Sequence, residues 1–371
     1  MDLDDPAWLK KIDSLGMFGA VESFPSQIAD SYALTSKVVS HIEKKAFNRV
    51  IGCGMGGSAI GMELVRSWLQ KELTVPLIIV RDYSLPRYVN DGDLVFLASY
   101  SGDTEETLSC LVEAAKRRSS MFSVSSGGEL EVFSKMLSIP HIKIPNGYQP
   151  RAAFGFLLIP LLALLVHLGI APRDALDDVL GSNDILRAVA EKCSYRTPTP
   201  ENPAKQLALR IIGHLPIIYG HGMFSGAALR FKQQLNENSK LYSKCELFSE
   251  LDHNDIEGFD ISASENKPVL VLLRSEDEDP RMKSRIDETS EILRNSVEDI
   301  VVVKGVGSGV VQLLTTIQIC DSASLYLACL RGIDPGPVKK IEMLKRALSN
   351  EGSFVKSLLA EVQQLSGRRE R

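Results

Sequence analysis

The 371-residue sequence has little that would mark a secreted, membrane-spanning or nucleic-acid-binding protein. Its six cysteines (Cys53, Cys110, Cys193, Cys245, Cys320, Cys329) are scattered and form no C-x-x-C pair. That argues against a disulfide framework or a zinc knuckle and for buried thiols in a reducing compartment. A formal net charge of −5 offers no basic surface for nucleic acid. The opening residues, MDLDDPAWLKKID, are acidic and have no apolar core, so a secretory leader is not expected. One run, AAFGFLLIPLLALLVHLGIAP between Arg151 and Arg173, is long enough to weigh as a membrane span. Gly155, Pro160 and His167 interrupt it, and it stands alone among α/β patterns. A buried core helix is the expectation, within a soluble cytoplasmic protein.

The composition, 44% hydrophobic and 24% charged, is that of a globular chain long enough for two domains. Apolar runs at 48–52 (NRVIG), 76–80 (PLIIV), 93–100 (DLVFLASY), 121–126 (MFSVSS) and 141–145 (HIKIP) alternate with helical patterns at 58–70 and 104–117. Alternation of this kind predicts βαβ units around a parallel sheet. The pattern restarts at LPIIYGHGMFSGAALRF and continues through PVLVLLRS (268–275) and EDIVVVKG (298–305). Aligning Gly52 with Gly220 superposes Gly54 on Gly222, Met55 on Met223 and Ala59 on Ala227. The fold class expected is therefore α/β, with two doubly wound parallel-sheet domains of similar topology, at 30–150 and 203–335. Connecting helices span 151–202 and a helical segment spans 336–371.

The stretch GCGMGGSAIG, starting at Gly52, fits the G-x-G-x-x-G pattern of dinucleotide-binding loops. Asp82, ending the second run, could grip a ribose hydroxyl, so a nicotinamide dehydrogenase stays open at this point. The third run leads into Ser99-Tyr-Ser-Gly-Asp-Thr104, followed by Glu105 and Glu106. An ordinary capping turn explains one such hydroxyl. Ser99, Ser101 and Thr104 together, opposite Gly56, Gly57 and Ser58, point instead to a compact phosphate monoester held from two strand ends.

These two segments resemble the phosphate-binding elements of the sugar isomerase (SIS) domain superfamily. GYQPRAAFGF (147–156), QLNENSK (234–240) and ELDHNDIEGF (250–259) are similar to signature stretches of the bifunctional phosphoglucose/phosphomannose isomerases, in the same order and spacing. The resemblance implies interconversion of glucose 6-phosphate, and of mannose 6-phosphate, with fructose 6-phosphate, without cofactor or metal. It makes Glu237 the base that carries the proton and His253 the ring-opening residue, reaching in from the neighbouring subunit of a homodimer. It makes Arg151 the stabiliser of the enediolate and Lys345 an aid at the ring oxygen, although Lys339 and Lys340 lie close by.

Read without the resemblance, Glu237 is a solvated helix-end glutamate and Arg151 the polar end of an apolar helix. His253 is then a surface histidine, or part of a metal site with Asp252, Asp255 and Glu257 whose spacing matches no common motif. The second domain's counterpart of the hydroxyl turn, Arg274-Ser-Glu-Asp-Glu-Asp279, would repel phosphate, so one sugar site per protomer is expected, framed by both domains. The pattern departs at Asp334-Pro-Gly336-Pro, where family members often carry a threonine linked with the mannose epimer. Mannose activity is therefore a weaker expectation than glucose activity. A non-catalytic sugar-phosphate sensor and an amino-sugar phosphate isomerase are the rival readings.

Overall fold

Central strands of a parallel sheet are covered on both faces, so they must be apolar throughout. In the computed structural model, which describes residues 2–259, 267–350 and 354–369, this holds for Val50–Cys53 and Leu94–Ala98, buried at every position. They belong to one of two units, formed by Ser26–Leu180 together with the chain from Val338 onward. The other unit combines the residues up to Pro25 with Gly181–Pro337.

The first unit carries five parallel strands, β1 (Val50–Cys53), β2 (Leu77–Val80), β3 (Leu94–Ala98), β4 (Ser120–Ser125) and β5 (His141–Lys143), in the order β2-β1-β3-β4-β5. Val50 lies opposite both Leu77 and Leu94. In a doubly wound sheet of this order the winding reverses between β1 and β3, and ligands bind outside the carboxyl ends of those strands. The apolar run of 152–172 forms the helix Phe154–His167, buried from Phe154 through Leu165. It lies so close to the helix Gly56–Trp68 that a Cβ on Gly61 would stand 2.9 Å from the Leu157 carbonyl oxygen. The run is a core helix of this unit. The helix Phe354–Arg369 packs on Glu105–Lys116 and adds Leu358 and Val362 to a core shared with Leu108 and Leu111.

The second unit carries β6 (Pro216–Gly220), β7 (Lys244–Leu247), β8 (Val269–Leu273) and β9 (Asp299–Val303), all parallel, in the order β7-β6-β8-β9. This is the order of β2-β1-β3-β4, so the two sheets share a winding. The helix Gly309–Leu330 runs through the core of this unit against Pro203–Ile211, Ser225–Glu237 and Asn183–Lys192. It is long and apolar enough to cross a membrane, but 94% of its most apolar window is buried. Lys205, on Pro203–Ile211, is also buried; its ammonium donates to Asp4 Oδ1 (2.9 Å) and to the carbonyls of Thr197 (2.7 Å) and Tyr195 (3.3 Å).

The internal alignment needs a correction of two residues. Gly54, rather than Gly52, corresponds to Gly220: in each case a Cβ would come within 3.5 Å of the backbone of the residue four positions on, Ser58 or Phe224. Gly56 and Gly222 then coincide, with left-handed φ of 48° and 54°. The bond from Ser58 N to Met55 O matches that from Phe224 N to His221 O. Overlapping Gly-x-Gly pairs in GCGMG allow both registers by letter; only the backbone separates them. The consequence is chemical, because phenylalanine in the second unit stands where the first has Ser58.

Candidate active site

Each helix start leaves backbone N–H groups that need an acceptor. The helix Gly56–Trp68 begins directly after β1, and its N-cap residue, Met55, makes no side-chain cap. Gly57 lets this start approach the turn Pro150–Ala152, since a Cβ there would lie 2.8 Å from Arg151 N. Ser58 Oγ accepts the backbone N–H of Tyr100 at 3.0 Å. Its own proton is left to point at another acceptor.

The turn after β3 is built alike. Thr104 occupies the N-cap position of Glu105–Lys116, yet its hydroxyl does not cap that helix. Thr104 Oγ1 instead meets Ser99 Oγ at 2.8 Å. Ser99 is fully buried, and its oxygen also accepts Gly102 N–H at 3.0 Å, so it braces the turn from within. Ser101 Oγ accepts Asp103 N–H at 3.3 Å, again leaving a hydroxyl proton for a further acceptor. Gly102 is obligatory: its φ is 82°, and a Cβ would fall 1.9 Å from Gly127 O. Two uncapped helix starts thus flank the switch point, with Ser58, Ser101 and Thr104 around them. Positive helix ends with oriented hydroxyls suit a small anion.

Tyr100, which the sequence reading left without a role, ties a third segment to this turn. Its hydroxyl donates to Pro145 O (3.1 Å) and accepts Tyr148 N–H (2.8 Å), fixing the GYQPR stretch beside β3. Burial raises its pKa, so the phenol stays neutral and keeps its proton for Pro145. Arg151, buried in the turn that meets Gly57, is steadied by a bond from Nη1 to Gln149 Oε1 at 3.3 Å. A buried guanidinium beside an anion site is equipped to stabilise negative charge developing on a bound molecule. Lys345 lies in the same unit, on the exposed helix Lys339–Asn350. Asp82 is exposed after β2, and its Oδ1 accepts the N–H of Tyr83 at 2.6 Å.

In the second unit the turn after β8, which matches the hydroxyl turn, is closed by side chains of that unit. Glu278 takes Arg274 Nε (3.1 Å) and Ser275 N–H (3.1 Å), while Gln312 Oε1 takes Glu276 N–H and Ser275 Oγ, both at 3.1 Å. The Asp279 carboxylate caps the helix Pro280–Leu293 by accepting from Arg281 N and Met282 N at 2.9 and 3.2 Å. The Arg274 guanidinium, the Ser275 N–H and hydroxyl and the Glu276 N–H of this turn thus have acceptors within the unit. Gln312, outside any motif singled out by sequence, completes this closure.

Glu237 is the last residue of the helix Ser225–Glu237 and is half-buried. His253 ends the short 3₁₀ turn Glu250–His253 and is exposed. Two of the acids near it in sequence are engaged: Asp252 with Arg285 (2.9 Å) and Thr289 Oγ1 (2.9 Å), Asp255 with Lys244 and with the Tyr219 hydroxyl (2.7 Å). That hydrogen bonding and burial push Tyr219 far above the usual phenol range, with burial the larger cause. Gly336 sits against Leu15, whose side chain a Cβ would meet at 2.7–2.9 Å. A threonine there would require Leu15 to move.

Comparison with known proteins places this geometry among relatives. Residues 200–348 match the family described as bacterial phospho-glucose isomerase C-terminal SIS domain. The chain is 37% identical over 341 residues to a bifunctional phosphoglucose/phosphomannose isomerase of Caldicellulosiruptor bescii, covering 90% of this chain and 99% of that protein. It is 34% identical over 304 residues to the protein of that description from Aquifex aeolicus, covering 81% and 91% respectively. Among solved structures, the C-terminal domain of glucosamine-fructose-6-phosphate aminotransferase from Francisella tularensis superposes with a TM-score of 0.66 at 13% identity, covering 87% of this chain and 98% of that one. The last likeness concerns the fold alone.

Proposed function

The chain belongs to the family of bifunctional phosphoglucose/phosphomannose isomerases, and we propose that it interconverts glucose 6-phosphate and mannose 6-phosphate with fructose 6-phosphate. The observation that carries this reading is the Thr104 hydroxyl turned away from its own helix start, beside a second uncapped start at Met55. Both starts are left for an anion, and a phosphate monoester supplies the acceptors. Ser58, Ser101 and Thr104 donate to its oxygens, with backbone N–H groups of Gly56 and Gly57, while Ser99 orders the turn from behind.

Aldose–ketose isomerisation moves a proton between C2 and C1 with no net oxidation, so the reaction requires no nicotinamide. Glu237 takes the proton from one carbon and returns it to the other. Arg151 holds the negative charge of the enediolate formed between the two transfers. His253 and Lys345 handle the ring oxygen during opening, the imidazole passing it a proton. The active species is a homodimer. Ile341, Leu344 and Leu348 recur at helical spacing on Lys339–Asn350 with their apolar surface exposed, and His253 is exposed on its own chain. Six free cysteines fit the reducing cytoplasm.

Proton NMR of fructose 6-phosphate incubated with the purified protein is the direct test. Separate anomeric signals of glucose 6-phosphate and mannose 6-phosphate are expected. Fructose 6-phosphate left unchanged at long times, with the protein folded, would overturn the assignment.

A further inference from the structure

The segment QLNENSK contains three residues after Glu237 that the reaction scheme leaves without a role. Lys240 is one of three described non-glycine residues with left-handed φ, at 50°. The position closes the helix Ser225–Glu237: Leu241 N–H reaches back six residues to Leu235 O at 3.1 Å, and a left-handed residue commonly ends a helix. Glycine is the usual residue at such a site because a Cβ is disfavoured there. A lysine in its place calls for a reason.

The side chain supplies one. Lys240 Nζ donates to the carbonyl of Glu237 at 2.5 Å, to Pro335 O at 3.2 Å and to Asn238 O at 3.4 Å. Its ammonium therefore sits on the negative end of the helix dipole and links the backbone of Glu237 to the Asp334–Pro337 segment. From the other side, buried Asn238 donates to Ser324 Oγ at 2.8 Å, and buried Ser239 donates to Ser324 O at 2.6 Å. These two bonds moor the helix end to Gly309–Leu330. Glu237 is thus fixed through its own carbonyl and through the next two residues.

We propose that Lys240 is a positioning residue for Glu237, its ammonium holding the helix end in the one orientation that presents the carboxylate to the sugar carbons. The inference rests on Glu237 being the base. A base that must reach two adjacent carbons in turn tolerates little displacement, and a shift of about 1 Å costs on the order of a hundred-fold in rate.

Lys240→Gly separates this role from a merely structural one, because glycine relieves the left-handed strain while deleting the clamp. The thermal midpoint is expected to equal or exceed that of the wild type, with kcat reduced ten-fold or more and KM within two-fold. The share of turnovers that incorporate solvent deuterium should rise as the displaced base exchanges its proton more often before returning it. Lys240→Arg, which restores a cationic donor, should recover most of kcat. Lys240→Asn, also tolerant of the left-handed region, serves as the second clamp-free variant should the glycine variant fold poorly. If both clamp-free variants keep wild-type kcat and deuterium content while Glu237→Gln is inactive, Lys240 has no positioning role. A raised KM with unchanged kcat also overturns the proposal, since it puts the ammonium on substrate. Near-normal turnover by Glu237→Gln would instead remove the base assignment on which the proposal stands.

Discussion

The Ser58 hydroxyl and the Tyr100 backbone N–H meet at 3.0 Å and join two turns that lie 42 residues apart. This bond ties together the two helix starts proposed to hold the phosphate. Removing a hydroxyl that faces the anion should weaken substrate binding without disturbing the bond. Ser101→Ala and Thr104→Ala are each expected to cost about 1.5–3 kcal/mol, a KM increase of roughly ten- to a hundred-fold with kcat less affected. Steady-state kinetics with fructose 6-phosphate decides this, and KM values equal to wild type in both variants would disprove direct phosphate contact.

Glu237→Gln keeps the shape of the side chain and removes its basicity. Isomerisation should fall by about 10²–10⁴-fold, while binding of sugar phosphate survives because Ser58, Ser101 and Thr104 are untouched. In deuterated water the wild type should label the sugar at the carbon that is deprotonated, and the variant should not.

Subunit exchange reports where His253 acts. Homodimers of Glu237→Gln and of His253→Ala should both be nearly inactive. Mixed and re-annealed, they should regain about a quarter of wild-type activity, because half the dimers then hold one site with both groups if the histidine crosses the two-fold interface. Demonstrated exchange without recovery would assign both residues to the same chain.

The Asp4–Lys205 pair is asymmetric: the lysine side chain is 1% exposed and the aspartate 41%. Deleting the exposed partner strands a buried ammonium on two carbonyls, whereas deleting the lysine releases a carboxylate that water can reach. Asp4→Ala should therefore cost about 1–3 kcal/mol and more than Lys205→Met, as read from urea denaturation. The reverse order would contradict this account.

His141 offers a pH test. Burial lowers its pKa from 6.5 to about 4, and its Nδ1 lies 2.8 Å from Ser123 Oγ. A histidine with depressed folded-state pKa contributes fully above the unfolded value of 6.5. That contribution is lost as pH falls from there toward 4, where protons bind the unfolded chain preferentially. The loss should reach at most about 3 kcal/mol. Urea midpoints at pH 7 and pH 4.5 should differ less in His141→Gln than in the wild type.

The parallel strands were legible because burial on both faces leaves continuous apolar runs such as LVFLA and VLVLL. The edge strand β7 is not legible in the sequence, since Lys-Cys-Glu-Leu, which among the described residues pairs only with β6, shows no apolar run. The helix Gly309–Leu330 escaped for the opposite reason: it is buried on nearly every side, so no polar face marks its period. The hydroxyls of SYSGDT could be read as an anion site, but whether Thr104 caps its own helix is a matter of side-chain direction. Letters carry no such direction. The same limit applies to GHGM, where backbone features such as the matching left-handed φ of Gly56 and Gly222 reveal the register.

A turn that carries its own carboxylate is never vacant. With Glu278 drawn onto Arg274 and Ser275, the donors of the turn after β8 keep the same acceptor whether or not an anion is at hand. The shared winding of the two sheets is therefore not matched at this turn: the Ser101 hydroxyl after β3 keeps a proton to donate, while Ser275 after β8 already donates to Gln312. The occupied copy can then serve as fixed framing for the helix that ends in Glu237, since no arriving or departing ligand resets its donors.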